Sequence, residues 1–169
     1  MGQITKLISI HCFNWLKDQK SGFQASYDLL KPGGEAAFLF GLQPPYYNGI
    51  IETGNHPKYN SYLKGVDFWI PESYRDNYDE SNYKKMLDDI GFKIILCKVE
   101  TKEDIFPSDQ AFKDMFYSVC PLVKHLPDNL KEDFKNDLFE NILKHFGRSK
   151  DGLPIHRRRT VEIFVRKEN

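Results

Sequence analysis

Two apolar segments joined by one amphipathic segment restrict the folds open to this chain. Residues 7–10 alternate and branch like a buried strand, and residues 35–40 are nearly all apolar, as in a strand covered on both faces. Between them, residues 17–30 place apolar side chains on one helical face. Lys31-Pro32-Gly33-Gly34 cannot continue the helix and permits a tight reversal. Such strand–helix–strand units are parallel and right-handed in nearly all proteins, so the chain predicts an α/β fold with a parallel sheet.

The segment that follows the second apolar run is predicted to be irregular. Residues 41–78 are rich in Pro, Gly, Asn and aromatic residues, and only residues 58–63 favour a short helix. Long irregular segments inside compact domains are usually functional or mobile. We therefore expect a functional or mobile loop here.

The second half of the chain predicts further helices and two more strands. A helix is expected from Asp79, as N-cap, to Gly91, followed by a strand over residues 92–99. The alternating residues 161–166 predict a closing strand at or near an antiparallel edge. Two helices within residues 103–150 interrupt these last strands, which predicts a helical cap inserted into one domain that spans residues 1–169.

The composition limits the classes of molecule that the chain is expected to bind. The 24 Lys and Arg residues balance 24 Asp and Glu residues, so no net field attracts nucleic acid or an anionic membrane. The three cysteines are distant from one another, which argues against a disulfide framework and a zinc site, and no other metal-ligand spacing stands out. The apolar run near the amino end is too short to span a bilayer. We expect a cytoplasmic protein with no metal.

The first strand ends in a polar and aromatic cluster. His11, Cys12, Asn14 and Trp15 follow the apolar run with neither helical nor strand period. In open α/β sheets, ligands bind just beyond the carboxyl ends of the strands. The cluster is therefore the predicted ligand site.

These segments together resemble a known family. The run LISIHCFNWL, a helix and then LLKPGGEAAFLF are similar to the carboxyl-terminal half of class I S-adenosylmethionine-dependent methyltransferases. More narrowly, residues 12–15, 90–92 and 120–122 and the final strand resemble the juvenile hormone acid O-methyltransferases of arthropods, with the likeness running from Ile4 to Lys167. The resemblance implies a partial Rossmann-like methyltransferase sheet, mostly parallel with the last strand antiparallel, and S-adenosylmethionine as the cofactor.

The resemblance also identifies family features that this sequence lacks. Members of the family carry, upstream, a glycine-rich turn after a first strand and an acidic residue after a second strand, which hold the cofactor. Gly33-Gly34 cannot replace that turn, because it ends a helix instead of opening one. The chain is thus expected to be either a fragment, which needs the other half for function, or a reduced family member. A sheet without those strands exposes an apolar edge, which predicts aggregation or dimerisation.

The family implies roles for individual residues. Trp15 would donate its indole N–H to the substrate carboxylate, with Asn14 beside it, and Ile10 and His11 would contact the cofactor. Aromatic residues, including Trp69 and Phe116, would line a pocket for a small apolar acid. Each also has a purely structural interpretation: aromatic residues commonly pack in cores, and polar groups at strand ends commonly satisfy the backbone.

No residue is assigned as an acid, base or nucleophile. A carboxylate is already ionised at neutral pH, so its methylation needs orientation and desolvation more than a general base. The sequence therefore supports two hypotheses. The first is a methyltransferase fragment that acts on the carboxylate of a small apolar acid similar to juvenile hormone acid. The alternative is a non-catalytic ligand-binding or protein-interaction module derived from that fold.

Overall fold

The computed structural model describes residues 2–42, 44–63 and 65–168 and contains one mixed sheet of four strands. The strands are β1 (Ile4–Ile10), β2 (Leu30–Leu42), β3 (Phe92–Ile105) and β4 (Ile155–Lys167). The helices are α1 (Gln19–Leu29), α2 (Pro44–Gly54), α3 (Glu72–Arg75), α4 (Glu80–Ile90), α5 (Asp109–Ser118) and α6 (Asp128–Phe146). The strand order in the sheet is β1-β2-β4-β3, so β1 and β3 form its two edges.

The predicted strand–helix–strand unit is confirmed. β1 runs parallel to β2, and α1 connects them. The pairing passes from Ile4 with Leu30 to Lys6 with Glu35, so β1 advances two residues while β2 advances five. The residues of β2 between Leu30 and Glu35 are the Lys-Pro-Gly-Gly segment, in which Gly33 has a φ of 76°, a conformation that glycine adopts without steric cost. The turn at this point therefore follows from the sequence.

The closing strand β4 pairs antiparallel with β2, as predicted. The pairing extends from Glu35 with Arg166 to Leu42 with Arg159. β4 lies one position inside the sheet, between β2 and the edge strand β3. Val161, Ile163 and Val165 of β4 are buried, whereas Glu162 and Phe164 between them are only partly buried. This difference in burial explains the alternating pattern of the sequence over residues 161–166.

The prediction of an irregular segment over residues 41–78 is wrong for its first third, which forms α2. Pro44 and Pro45 occupy the first turn, where a missing N–H costs no helical hydrogen bond. Gly49 lies against α6 so closely that a Cβ there would come within 2.4 Å of Ile142 Cγ1. The prolines and the glycine that suggest a loop in the sequence are thus compatible with a helix that packs against α6. Later in this segment Val66–Trp69 forms a 3₁₀ turn and Glu72–Arg75 is α3, whereas residues 58–62, predicted to favour a short helix, form turns. Another 3₁₀ turn, Val123–His125, lies between α5 and α6.

The chain divides into two compact units. Unit 1 comprises Met1–Leu42, Pro71–Lys102 and Arg158–Asn169, and unit 2 comprises Gln43–Ile70 and Glu103–Arg157. The two helices expected to form a cap, α5 and α6, both lie in unit 2, together with α2. A capping role for unit 2, and a single domain over the whole chain, stay predictions.

Each unit has its own aromatic core. In unit 1, Phe13 contacts Phe23 and Phe38, with ring centroids 4.4 and 4.9 Å apart, and lies near Phe40. In unit 2, Phe116 lies among other buried aromatic rings, namely Tyr46, Phe112, Phe146 and His156. The core of unit 1 therefore begins directly at Phe13, inside the predicted ligand site.

The start of α4 gives a prediction that depends on pH. Asp79 forms the expected N-cap, in a capping box with Asn82. Hydrogen bonds from the Ser81 hydroxyl and the Asn82 backbone hold the pKa of Asp79 below its ordinary value. Because the folded-state pKa is lowered, the stabilisation is complete above the ordinary pKa and is lost as pH falls through the lowered one.

Replacing Asp79 by Asn should therefore remove a pH dependence while keeping the cap, since Asn is an equally good N-cap. The difference in unfolding free energy between the native chain and Asp79→Asn should shrink as pH falls below about 4, the ordinary pKa of an aspartate. Urea unfolding at a series of pH values measures this difference. A difference that stays constant over that window would contradict the prediction.

Candidate functional site

The carboxyl end of β1 is sharply bent. β1 ends at Ile10, and His11 adopts a left-handed backbone conformation with a φ of 53°. The His11 N–H donates to the Leu39 carbonyl at 2.7 Å, which holds the bend against β2. A single 3₁₀ turn, Phe13–Trp15, follows. A non-glycine residue in this region is uncommon and costs conformational energy, so the surrounding contacts must fix the turn.

The Asn14 side chain links two groups of this turn. With its nitrogen facing the His11 carbonyl and its oxygen facing the indole, the carboxamide donates to His11 O at 3.0 Å and accepts from Trp15 Nε1 at 2.9 Å. The Trp15 N–H, predicted to bind a substrate carboxylate, is thus already hydrogen-bonded within the turn. Trp15 is nevertheless 45 % exposed, so its indole remains accessible to solvent.

A buried hydrogen-bond network, which no local sequence pattern indicates, holds the Phe13–Trp15 turn against the core. Gln19 is completely buried and donates from Nε2 to the Phe13 carbonyl at 2.8 Å. Its Oε1 accepts from the Tyr83 hydroxyl of α4 at 2.7 Å. Burial, the largest cause, raises the pKa of Tyr83, so the phenol stays protonated and donates. A glutamine at the first position of a helix is a weak sequence signal, and only the contact with α4 reveals its function.

The site residues predicted in unit 1 form one continuous patch. Ile10 and His11 are exposed at the strand end, and Asn14 and Trp15 follow within the next turn. Cys12, between them, is also exposed. The structure therefore brings together the two predicted cofactor contacts and the first two predicted substrate contacts.

The other two predicted substrate contacts, Trp69 and Phe116, lie in unit 2 on different elements. Trp69 ends the Val66–Trp69 turn and is half-buried beside Phe68 and His125. Phe116, on α5, is only 2 % exposed and packs in the aromatic core of unit 2. The surroundings of Phe116 therefore correspond to its structural interpretation, whereas Trp69 lines a cavity.

The residues of the unit 1 patch fit only part of S-adenosylmethionine. Ile10 offers an exposed apolar surface and His11 an exposed imidazole, which suit a neighbouring sulfonium and its alkyl groups. Both backbone polar groups of His11 already have partners, and the Asn14 carboxamide is engaged at both ends. Residues 8–16 contain no carboxylate that could bind ribose hydroxyls. Groups that hold the polar ends of the cofactor are therefore not among the residues of this patch.

Within residues 2–42, 44–63 and 65–168, no three His, Cys, Asp or Glu side chains are grouped so that they could hold a metal ion. None of the helices in these ranges has the length and hydropathy needed to cross a membrane.

Comparison with solved structures defines the class of fold. A crystal structure of a Bacillus halodurans protein, described as a candidate methyltransferase, superposes with a TM-score of 0.52 and 12 % identity, over 98 % of this chain and 70 % of the other. No family model matches the chain. The fold of the chain is therefore the Rossmann-like α/β fold of methyltransferases, as the sequence predicts.

Sequence comparison identifies the particular relatives. Juvenile hormone acid O-methyltransferase of Drosophila melanogaster is 23 % identical over 145 residues, which are 84 % of this chain and 48 % of that protein. The Bombyx mori enzyme of the same name is 26 % identical over 137 residues, 80 % of this chain and 48 % of the enzyme. The predicted resemblance to juvenile hormone acid O-methyltransferases is thus confirmed. The chain spans about half the length of these relatives.

Proposed function

We propose that this chain is the substrate-side part of an S-adenosylmethionine-dependent methyltransferase that esterifies a small apolar carboxylic acid. The likeness to juvenile hormone acid O-methyltransferases over most of the chain carries this proposal. The polar and aromatic patch at the end of β1 supports it, because ligands of open α/β sheets bind at that end of the strands. A juvenile hormone acid-like substrate is the acid that the names of the relatives suggest.

In this proposal Trp15 and Asn14 act on the substrate carboxylate. The indole carries a single N–H, so a bound carboxylate must share it with Asn14 or displace Asn14 from it. Asn14 thereby orients the indole in the absence of substrate, and we assign it as a positioning residue. Ile10 and His11 line the cofactor side of the patch.

Methylation of a carboxylate requires the protein mainly to orient the substrate and to exclude water. S-adenosylmethionine supplies a methyl group on a sulfonium when bound, and the acceptor carboxylate is ionised at neutral pH. Trp15 would align the carboxylate, and the exposed apolar surface of Ile10 would exclude water from it. No residue of the patch needs to accept a proton from the substrate.

The test is methyl transfer by the chain fused to the amino-terminal half of the Bombyx mori relative. We expect labelled methyl from S-adenosylmethionine to appear as the ester of juvenile hormone acid, with the corresponding alcohol as an unreactive control. The fusion must first be shown to bind the cofactor by calorimetry. A folded, cofactor-binding fusion that forms no ester would contradict the proposal.

The partial fit to the cofactor favours one alternative, a non-catalytic binding module. Calorimetric titration of the unfused chain with S-adenosylmethionine tests this alternative. Clear binding of the cofactor would exclude the non-catalytic module, whereas absence of binding would not distinguish the module from a methyltransferase fragment. The alternative gains support if the fusion binds cofactor and remains inactive.

We also propose that β1 is an edge through which two copies of the chain associate. The edge strand β3 carries many charges, which protect a strand from pairing with another chain, namely Lys93, Lys98, Glu100, Lys102, Glu103 and Asp104. β1 carries only Lys6, whose ammonium pairs with Glu35, and its Ile8 is 73 % exposed. The unprotected edge is therefore β1.

A charge on β1 should prevent this association. Light scattering should show that the mass of the native chain rises with concentration and that Ile8→Lys remains monomeric at the same concentrations, because the new charge would be buried by strand pairing. Ile95→Lys, at an exposed position on β3, is the matched control and should behave like the native chain. A native chain that is monomeric throughout, or equal effects of the two variants, would refute the role of β1.

A further inference from the structure

Unit 1 contains a polar cleft that shares no residue with the patch at the end of β1. The cleft measures about 490 Å³, within the range of roughly 300–1,000 Å³ that is usual for small-molecule sites. It lies where the beginning of α4 meets β3 and β4, and all the residues that line it are described. The polar part of the lining consists of the charged residues Asp79, Glu80, Lys84 and Arg159 and the hydroxyls of Ser81 and Thr101.

Two of the four charged side chains neutralise each other. The Lys84 ammonium donates to Glu80 Oε1 at 2.6 Å, one helical turn away. The other carboxylate oxygen of Glu80, Oε2, accepts from the Val99 N–H at 3.3 Å. Both oxygens of Glu80 therefore have donors already, and the pair adds no net charge to the cleft.

Asp79 retains a carboxylate oxygen that the helix cap does not use. Its Oδ1 accepts from the backbone N–H groups of Ser81 and Asn82 and from the Ser81 hydroxyl, whereas Oδ2 takes no part in these bonds. The two N–H groups are thereby occupied and are not available to a ligand. Hydrogen bonds of the cap, and after them the charge of Arg159, lower the pKa of Asp79, so the carboxylate is ionised at neutral pH.

Arg159 supplies the opposite charge. It is partly buried near the end of the β2–β4 pairing, opposite Leu42. In the part of the chain that the structure describes, its guanidinium takes part in no hydrogen bond or ion pair, and Gln43, which lies outside that part, carries no charge. A guanidinium has five N–H donors and can bind a carboxylate through two of them. Arg159 is therefore suited to an anionic group in the cleft.

The cleft thus presents one carboxylate and one guanidinium that are not paired with each other. A ligand with only a negative charge would pair with Arg159 but would be repelled by Asp79, and a ligand with only a positive charge would be repelled by Arg159. A ligand with both charges gains an ion pair at each end. Two opposite charges at fixed positions therefore favour a zwitterion over either kind of ion.

We propose that this cleft binds a small zwitterion such as a free amino acid, whose carboxylate contacts the Arg159 guanidinium while its ammonium contacts Asp79 Oδ2. The hydroxyls of Ser81 and Thr101 offer further hydrogen bonds to the same ligand. This binding requires no adenosyl group and no methyl transfer. It can therefore hold or fail independently of the function proposed for the patch at β1.

Probes that differ in charge test the proposal. Glycine, γ-aminobutyrate and ε-aminocaproate are zwitterions with increasing distance between their charges, whereas butyrate and butylammonium carry one charge each. The backbone N–H signals of Ser81 and Lys84 in the full chain are followed by NMR at constant ionic strength. At least one zwitterion should shift both signals and bind about two- to fivefold more tightly than butyrate and butylammonium, as expected for one additional exposed ion pair.

Two arginine variants test the contact with the carboxylate. Arg159→Gln should reduce the affinity for the best zwitterion about two- to fivefold, because one ion pair is lost. Arg166→Gln is the matched control, since Arg166 lies on the same strand and its guanidinium is bonded to Glu35. This control should leave the affinity unchanged.

Asp79→Asn tests the contact with the ammonium and keeps the helix cap, since Asn is an equally good N-cap. It should lower the affinity for the zwitterion to that for butyrate, and it should raise the affinity for butyrate because a repulsion is removed. The proposal is overturned if no zwitterion binds the native chain more tightly than both singly charged probes or if the two arginine variants act alike. It is also overturned if Asp79→Asn leaves the preference for the zwitterion over butyrate unchanged.

Discussion

Gln19→Leu should destabilise the folded chain by about 1–3 kcal/mol, the largest effect on stability that we expect from a single polar residue. The substitution removes one of the two donors to the Phe13 carbonyl, which keeps the bond from the Leu16 N–H, and it removes the Gln19 acceptor of the buried Tyr83 hydroxyl, which keeps its contact with Ser73. Each buried group that loses its partner costs about 1–3 kcal/mol, and the similar size of Leu leaves packing nearly unchanged. Urea unfolding followed by circular dichroism measures the loss.

Two further variants separate the network from a general effect of removing glutamine. Gln24→Leu is the matched control on the same helix. Gln24 is exposed and bonds to Asp28, four residues along, so its loss should cost a few tenths of a kcal/mol. Adding Tyr83→Phe to Gln19→Leu should recover part of the stability, since it removes the buried hydroxyl that has lost its Gln19 acceptor. Equal effects of Gln19→Leu and Gln24→Leu would show that the network contributes no more than a surface pair.

Trp15→Ala should lower turnover at least tenfold in the fused enzyme that forms the ester, which corresponds to about 1.4 kcal/mol of transition-state stabilisation. The proposed reason is loss of the N–H that aligns the substrate carboxylate. Because Trp15 is about half exposed, the chain should still fold, and circular dichroism checks this. Rates with juvenile hormone acid and labelled S-adenosylmethionine provide the measurement.

A phenylalanine at the same position distinguishes a hydrogen bond from packing. Trp15→Phe keeps an aromatic ring but has no donor, so it should be nearly as slow as Trp15→Ala if the indole N–H matters. Leu16→Ala, at the adjacent and similarly exposed apolar residue, should leave the rate within a factor of about two. Full activity of Trp15→Phe would assign Trp15 a packing role only.

The hydrogen bonds of the patch affect the role proposed for Trp15 as the donor to the substrate carboxylate. Its N–H is bonded to Asn14, and the Asn14 carboxamide also bonds the His11 carbonyl, so the three residues form one hydrogen-bonded turn. A substrate carboxylate would have to compete with Asn14 for the indole. Substitution of Asn14 should consequently alter the affinity for substrate and the rate together, unlike a group that acts only in the transition state.

The sequence determined the features that depend on neighbours within about one helical turn. The N-cap Asp79, the left-handed Gly91 after α4 and the turn before the apolar part of β2 lie where local patterns predict them. Periodicity also predicted the parallel pairing of β1 with β2 and the antiparallel β4, because burial of apolar faces selects these arrangements. The cluster from His11 to Trp15 could be located from its place at a strand end.

Tertiary structure alone decided the features that require distant residues to meet. Helix α2 contains prolines and glycines that favour a loop, and it forms because Gly49 lets its backbone approach Ile142 of α6. The function of Gln19 depends on Tyr83, 64 positions away, and the charge of the cleft beside Asp79 depends on Arg159 of β4. No local pattern encodes such contacts, since their free energy arises from desolvation and packing between segments that are brought together only by the fold.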